Sequence, residues 1–102
     1  MELTLEQYEQ LNPRCEIEHD GVTMVFSTPG ALTRWRVDSI HSKEPWTLEW
    51  IASFQPDEIL LDCGANVGMY TIWAAATRKV RVYAFEPESQ NYALLNRNIQ
   101  NN

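Results

Sequence analysis

The stretch Ile59–Ile99, "ILLDCGANVGMYTIWAAATRKVRVYAFEPESQNYALLNRNI", decides how this chain is read. It opens on three consecutive apolar residues, breaks at Asp62-Cys63-Gly64 and resumes after Gly68 in a helical pattern. An apolar run without alternation predicts a strand buried on both faces, as in a parallel sheet covered by helices. "VGMYTIWAAATRK" then predicts a helix. Its run Ala74-Ala75-Ala76 raises helix propensity and lets the helix approach a sheet closely, while Arg78 and Lys79 suit the negative end of its dipole. "VRVYAF" predicts a second strand, and "PESQNYALLNRNIQ" a second helix with Tyr92, Leu95 and Ile99 on one face. Strand, helix, strand and helix joined by short links imply a parallel pair with a right-handed crossover, one half of a nucleotide-binding sheet.

In open α/β sheets, ligands bind at the carboxyl ends of the strands. Two carboxylates fall there: Asp62 closes the first strand and Glu86 the second. Gly64 removes a side chain where backbone must pass close to a ligand, and Gly68 lets the following helix pack tightly on the strand. Ala65-Asn66-Val67 form the turn between them. The free N–H groups opening the next helix face its contents, and Asn66 stands where a middle glycine is usual because Asn enters the left-handed region more readily than most residues. Glu86 can accept two hydrogen bonds from a ribose diol, since a carboxylate is a pure acceptor with two oxygens.

The dinucleotide fingerprint Gly-x-Gly-x-x-Gly is one glycine short here, and Asp62 would repel a pyrophosphate. A cofactor carrying an ammonium and a sulfonium but no phosphate suits that carboxylate, and its own carboxylate can meet the helix N-terminus. The charges therefore favour S-adenosyl-L-methionine over NAD. No Gly-Lys-Ser/Thr is present, which excludes a Walker loop. Singly, Asp62 and Glu86 could be helix caps and the glycines plain turn residues; together, after a buried strand and with Glu86-Pro87 ending the next, they have few bland explanations.

Ahead of this region the pattern is mixed. Residues 4–11 predict a short helix. "CEIE" and "VTMVFS" flank His19-Asp20-Gly21, a hairpin signal because Gly tolerates positive φ. "TPGALT" predicts a turn or the start of a helix. In "WRVDSIHSKE", Trp35 and Val37 alternate as in a strand. "EPWTLEWIASF" predicts a helix with Pro45 in its first turn, ended by Gln55-Pro56-Asp57. Trp46, Trp50 and Phe54 recur every four residues and are expected to share a face packed in the core, with a hydrophobic lid over a ligand as the sharper alternative. The chain divides into an N-terminal hairpin and helical segment, residues 1–56, and a partial cofactor-binding domain, residues 57–102.

The bulk numbers bound the function. At 102 residues the chain is one domain or part of one. Its net charge of -6, with eight scattered Lys and Arg, argues against nucleic-acid binding. No apolar run approaches the roughly 20 residues of a membrane helix, and the acidic start "MELTLEQYEQ" is unlike a signal peptide, so a cytoplasmic setting is expected. Cys15 and Cys63 match no zinc or redox spacing and are expected to be structural, Cys63 as a small buried filler at the strand end. His19 and His41 are expected on the surface or in turns.

"LDCGANVGMYTIWAAA" with "VYAFEPESQNYALLNRNI" resembles the N-terminal portion of the FkbM-type methyltransferases, class I S-adenosylmethionine-dependent enzymes; "KEPWTLEWI" is similar to the segment preceding their cofactor motif. The likeness runs from about Arg34 onward. It implies an α/β fold, the first βαβα half of a Rossmann-like seven-stranded sheet. It also implies methyl transfer from S-adenosyl-L-methionine to an oxygen of a small molecule, commonly a sugar or polyketide. By position Asp62 and Gly64 would line the methionyl end of the cofactor, Ala65, Asn66 and Gly68 shape its turn, Glu86 hold the ribose, and Pro87 and Asn91 lie near the adenosine. The strands that supply the acceptor pocket in that family have no counterpart here, so no catalytic base is assigned and the chain is expected to be an N-terminal fragment. Two other readings stand beside the enzyme: a non-catalytic, truncated S-adenosylmethionine-binding or assembly module that completes its sheet with another chain or by self-association, and an NAD-binding half-domain.

Overall fold

The computed structural model describes all 102 residues, Met1–Asn102, as a mixed α/β unit. The elements are α1 (Leu5–Gln10), β1 (Arg14–His19), β2 (Val22–Ser27), α2 (Ala31–Asp38), α3 (Ile40–Lys43), α4 (Pro45–Ala52), β3 (Ile59–Cys63), α5 (Met69–Arg78), β4 (Arg81–Phe85) and α6 (Ser89–Asn101). Two small sheets form: β1–β2 is antiparallel and β3–β4 parallel.

Local chemistry sets these boundaries. α1 opens on a capping box in which the Thr4 side chain accepts from Gln7 N–H and the Gln7 side chain accepts from Thr4 N–H. The hairpin turns on Asp20 (φ +49°) and Gly21 (φ +78°), two successive left-handed residues as a two-residue turn requires, pairing His19 with Val22. α4 carries Pro45 in its first turn, where the missing N–H costs nothing. α5 ends on Lys79 (φ +57°), and Arg78 donates from Nε and Nη2 to Phe54 O at 3.0 and 2.8 Å, tying α5 to the loop before β3.

One core runs through the molecule. Met24 and Phe26 of β2, Val37, Ile40 and Ile51 of the helical segment, Leu60 of β3 and Ile72, Trp73 and Ala74 of α5 form one buried cluster. The hairpin is part of it: β2 packs on both α5 and α6, and Met24 and Phe26 are fully buried. The rings of His19 and His41 flank Trp73 at 4.7 and 5.4 Å.

Four expectations are corrected. "WRVDS" is helical, not a strand: the alternation of Trp35 with Val37 is incidental, since Thr33 and Val37, four apart, face the core and Trp35 is exposed. Of the stripe Trp46, Trp50, Phe54 only Phe54, half-buried, packs against the core; α4 is turned so that Ile51 is buried, with Trp46 and Trp50 more than half exposed and Trp50 edge-on to Phe54 at 4.9 Å. α6 buries Leu95 and Asn98 while Tyr92 and Ile99 are exposed. β3 is covered on one face only. Leu60 is buried, but Ile59, Leu61 and Cys63 are exposed beside Tyr83 and Phe85 of β4, so Cys63 is no buried filler.

Asparagines at the end of α6 close the free edge of β2. Asn98 accepts from Ser27 N–H at 2.8 Å and donates to Val67 O at 2.7 Å. Asn102 accepts from Val25 N–H at 2.9 Å and donates to Val25 O at 2.7 Å, reproducing the hydrogen bonds of a missing neighbouring strand. Asn101 adds a bond to Ser27 Oγ at 3.0 Å.

Candidate functional site

The loop between β3 and α5 lies at the carboxyl ends of the parallel strands. Three of its residues are left-handed: Gly64 (φ +77°), Asn66 (φ +57°) and Gly68 (φ +91°). This alternation explains the sequence Gly-Ala-Asn-Val-Gly, since Gly and Asn occupy that region at least cost. The N–H groups of Gly64 and Ala65 both donate to Phe85 O, at 2.8 and 2.9 Å, fastening the turn to the tip of β4. Gly68 N–H donates to Ala65 O and Ile72 N–H to Gly68 O, both at 2.9 Å, which leaves the N–H groups of Met69, Tyr70 and Thr71 without backbone acceptors.

Glu86 is the clasp of this arrangement. Its Oε1 accepts from Asn66 N–H at 2.8 Å and its Oε2 from Glu88 N–H at 2.9 Å. The carboxylate at the end of β4 therefore holds the β3–α5 turn and the start of α6 at once. Glu88 in turn caps α6, accepting from Asn91 N–H at 2.7 Å, and the backbone bonds of Asn91 and Gln90 hold its carboxyl below the usual range. Each Glu86 oxygen keeps a second lone pair for a ligand.

Asp62 is half-buried, and its Oδ2 accepts from Thr71 Oγ1 at 2.5 Å, so it anchors the first turn of α5 on β3. Gly64, Ala65 and Asn66 line a cavity of about 190 Å³ whose opposite wall is Arg36 of α2, Lys43 of α3 and Glu44. Asp62, Gly68, Glu86, Pro87 and Asn91 are not among its lining residues. Gly68 instead faces Leu95 of α6, Pro87 is exposed, and Asn91 sits half-buried in the first turn of α6.

Tyr70 and Glu44 also line the cavity, and neither stands out in the sequence. The Tyr70 hydroxyl donates to Glu44 Oε2 at 2.8 Å. Burial first, then the hydrogen bond and charge of Glu44 and the charge of Asp62, push the phenol up from 10.0 to about 12. Because the folded state raises this value, the stability linked to Tyr70 is complete below pH 10 and is lost as pH rises from 10 towards 12. In an alkaline titration followed by tyrosinate absorbance, one of the four tyrosines should ionise last, and Tyr70→Phe should remove that step; a late step persisting in the variant would contradict the pairing.

Asn66, one of the lining residues, carries an Oδ1 that is buried and has no hydrogen-bond donor. Such an atom costs about 1–3 kcal/mol unless a ligand supplies a donor. No group of three or more His, Cys, Asp or Glu side chains is placed to hold a metal ion, and no helix is long and apolar enough to cross a membrane.

Comparison with known protein families, with curated proteins and with solved structures finds no match for this chain.

Proposed function

We propose that this chain is the S-adenosyl-L-methionine-binding part of a methyltransferase that acts on an oxygen of a small molecule or sugar, built on the first βαβα half of a Rossmann-like sheet. The observation that carries the reading is the Glu86 clasp. A carboxylate at the tip of the second parallel strand grips the glycine-bounded turn at the tip of the first, the position where open α/β sheets take a nucleoside. The unpaired N–H groups opening α5 fit a ligand that brings a carboxylate. The cavity of about 190 Å³ is smaller than the ~300–1,000 Å³ usual for ligand pockets, so it suits the amino-acid end of the cofactor while the nucleoside lies outside it, towards Glu86. The bound cofactor supplies an activated methyl group. The chain's own residues bind and orient it: Glu86 offers its remaining lone pairs to the ribose, and the Gly64–Gly68 turn presents backbone without side chains.

Calorimetric titration with S-adenosylmethionine, S-adenosylhomocysteine and NAD tests this. The adenosyl sulfur compounds should bind and NAD should not; binding of NAD alone would end the reading. Glu86→Ala should weaken the adenosyl ligands by about 1–3 kcal/mol. Unchanged affinity in a folded variant would remove Glu86 from the site.

A second reading is a non-catalytic module that completes its sheet by self-association. It is favoured by the outer face of β3–β4, where Ile59, Leu61, Tyr83 and Phe85 are each more than half exposed. Under it, sedimentation should show concentration-dependent association that Leu61→Lys abolishes, and a monomer at all concentrations would dismiss it.

A further inference from the structure

α1 stands apart from the core: all of its residues are exposed and it buries none. Leu5, Tyr8 and Leu11, spaced by three, share one side of it, with Leu3 ahead of its cap, and all are large apolar side chains left in solvent. A helix of six residues is not stable in water by itself, so this stripe calls for a surface to lie on. The molecule offers one. On the outer face of β3–β4, Ile59, Leu61 and Cys63 alternate outward beside Arg81, Tyr83 and Phe85, and no element covers them. Parallel sheets are ordinarily covered on both faces, and by helices. The dimensions match: the six residues of α1 are about 9 Å long and the five of each strand about 16 Å, so α1 with its flanking leucines fits along the face. The charges match as well. Met1–Gln10 carries Glu2, Glu6 and Glu9 with no Lys or Arg, whereas the one charged side chain on the outer face is Arg81, which is 64% exposed and stands 4.0 Å from Asp57.

We infer that α1 of one copy lies across the outer face of β3–β4 in a second copy, and that two copies exchange these helices about a two-fold axis. The inference rests on the second reading above, self-association through that face, and names what covers it. The face of its own chain is out of reach for α1. β2 packs on α5 and α6, so the hairpin, and α1 before it, lie on the covered side of the sheet. The residues Leu11–Pro13 between α1 and β1 span at most about 11 Å, against roughly 20 Å for one helix layer and one sheet. The exchange is also large enough to hold. With about half of the roughly 150–250 Å² of a large side chain available on each apolar residue named, two reciprocal contacts bury on the order of 1,500 Å², within the roughly 1,200–2,000 Å² of a stable interface. A single contact would bury about half as much and fall short, which is why the exchange is reciprocal and closed.

Sedimentation velocity over a range of concentrations, on the wild-type chain, on Leu61→Lys and on Leu5→Glu/Tyr8→Glu, tests the exchange. The substituted side chains are all exposed, so thermal melting should show both variants folded. The wild type is expected to reach a dimer and grow no further. Each variant should raise the dissociation constant at least about hundredfold, because it loses apolar burial at both contacts. A Leu5→Glu/Tyr8→Glu chain that dimerises like the wild type would overturn the α1 contact and leave self-association through the sheet face standing. A Leu61→Lys chain that dimerises while Leu5→Glu/Tyr8→Glu does not would put the contact between helices and overturn both. Growth of the wild type beyond a dimer would overturn the closed exchange, and a wild-type monomer at every concentration would overturn both the exchange and the reading it rests on.

Discussion

Asn98→Leu is expected to destabilise the fold by about 2–5 kcal/mol, although it exchanges a polar side chain for an apolar one in a fully buried place. Asn98 is wholly inaccessible and serves two backbone groups at once, Ser27 N–H and Val67 O. Leucine fills the volume but leaves both unpaired, at about 1–3 kcal/mol each. For a chain of this size total stability is about 5–15 kcal/mol, so the loss should appear as a fall in Tm of at least about 10 °C. Asn98→Asp sharpens the test. It keeps the acceptor for Ser27 but sets an oxygen against Val67 O, and burial raises a carboxyl's folded-state pKa above its unfolded value. Stability should then be greatest in acid, where the protonated group can donate to Val67, and fall as pH rises through the folded pKa. An Asn98→Leu variant melting like wild type would show that these bonds contribute little.

Gly68→Ala should have a comparable effect for a different reason. At φ +91° an L-residue is strained by about 1–2 kcal/mol, and an added Cβ would lie 2.6 Å from Leu95 Cδ1. That atom ends a flexible side chain, but Leu95 is itself buried, so relieving the contact disturbs the packing of α6 against the turn at Gly68, at about 1–3 kcal/mol more. Gly64→Ala is the comparison: φ is +77° and nothing lies within 4 Å of the new carbon, so only the backbone strain remains. Chemical denaturation should rank Gly68→Ala well below Gly64→Ala in stability. Equal midpoints would mean that Leu95 yields freely.

What the sequence made legible was local. Asp20-Gly21 prescribes its turn whatever surrounds it, and the runs around Ile59–Cys63 and Val80–Phe85 with a helical stretch between them prescribe a parallel unit. The left-handed places at Gly64, Asn66 and Gly68 could be read from residue type, because few residues tolerate that geometry. What stayed hidden was the choice of face. The spacing of Trp46, Trp50 and Phe54 says that they share a side, but only the packing of Ile51 into the core says which side of α4 is turned inward, and Phe54 falls just beyond the helix. Ile59 and Leu61 read as doubly buried because their hydrophobicity does not reveal whether a covering layer is present. At the site, Glu86 was visible as a carboxylate at a strand tip, whereas its grip on two backbone amides depends on the turn's final shape. Arg36, Lys43 and Glu44 could not be foreseen, since no periodicity relates them to residues 64–66; only the docking of α2 and α3 brings them there. The asparagines at 98, 101 and 102 did have a signal, three amides on one side of a helix, which resembles an ordinary polar surface until β2 is laid against it.

That amide seam also governs how the native state can be reached. Its bonds join positions separated by 71 and 77 residues, so they raise the contact order of a molecule whose turns and helices are otherwise formed by near neighbours. Closing so long a loop is entropically costly before any bond rewards it. The hairpin and α5 can form early, but β2 stays frayed along one side until α6 has docked, and the slowest phase of refolding is expected to be that distant embrace.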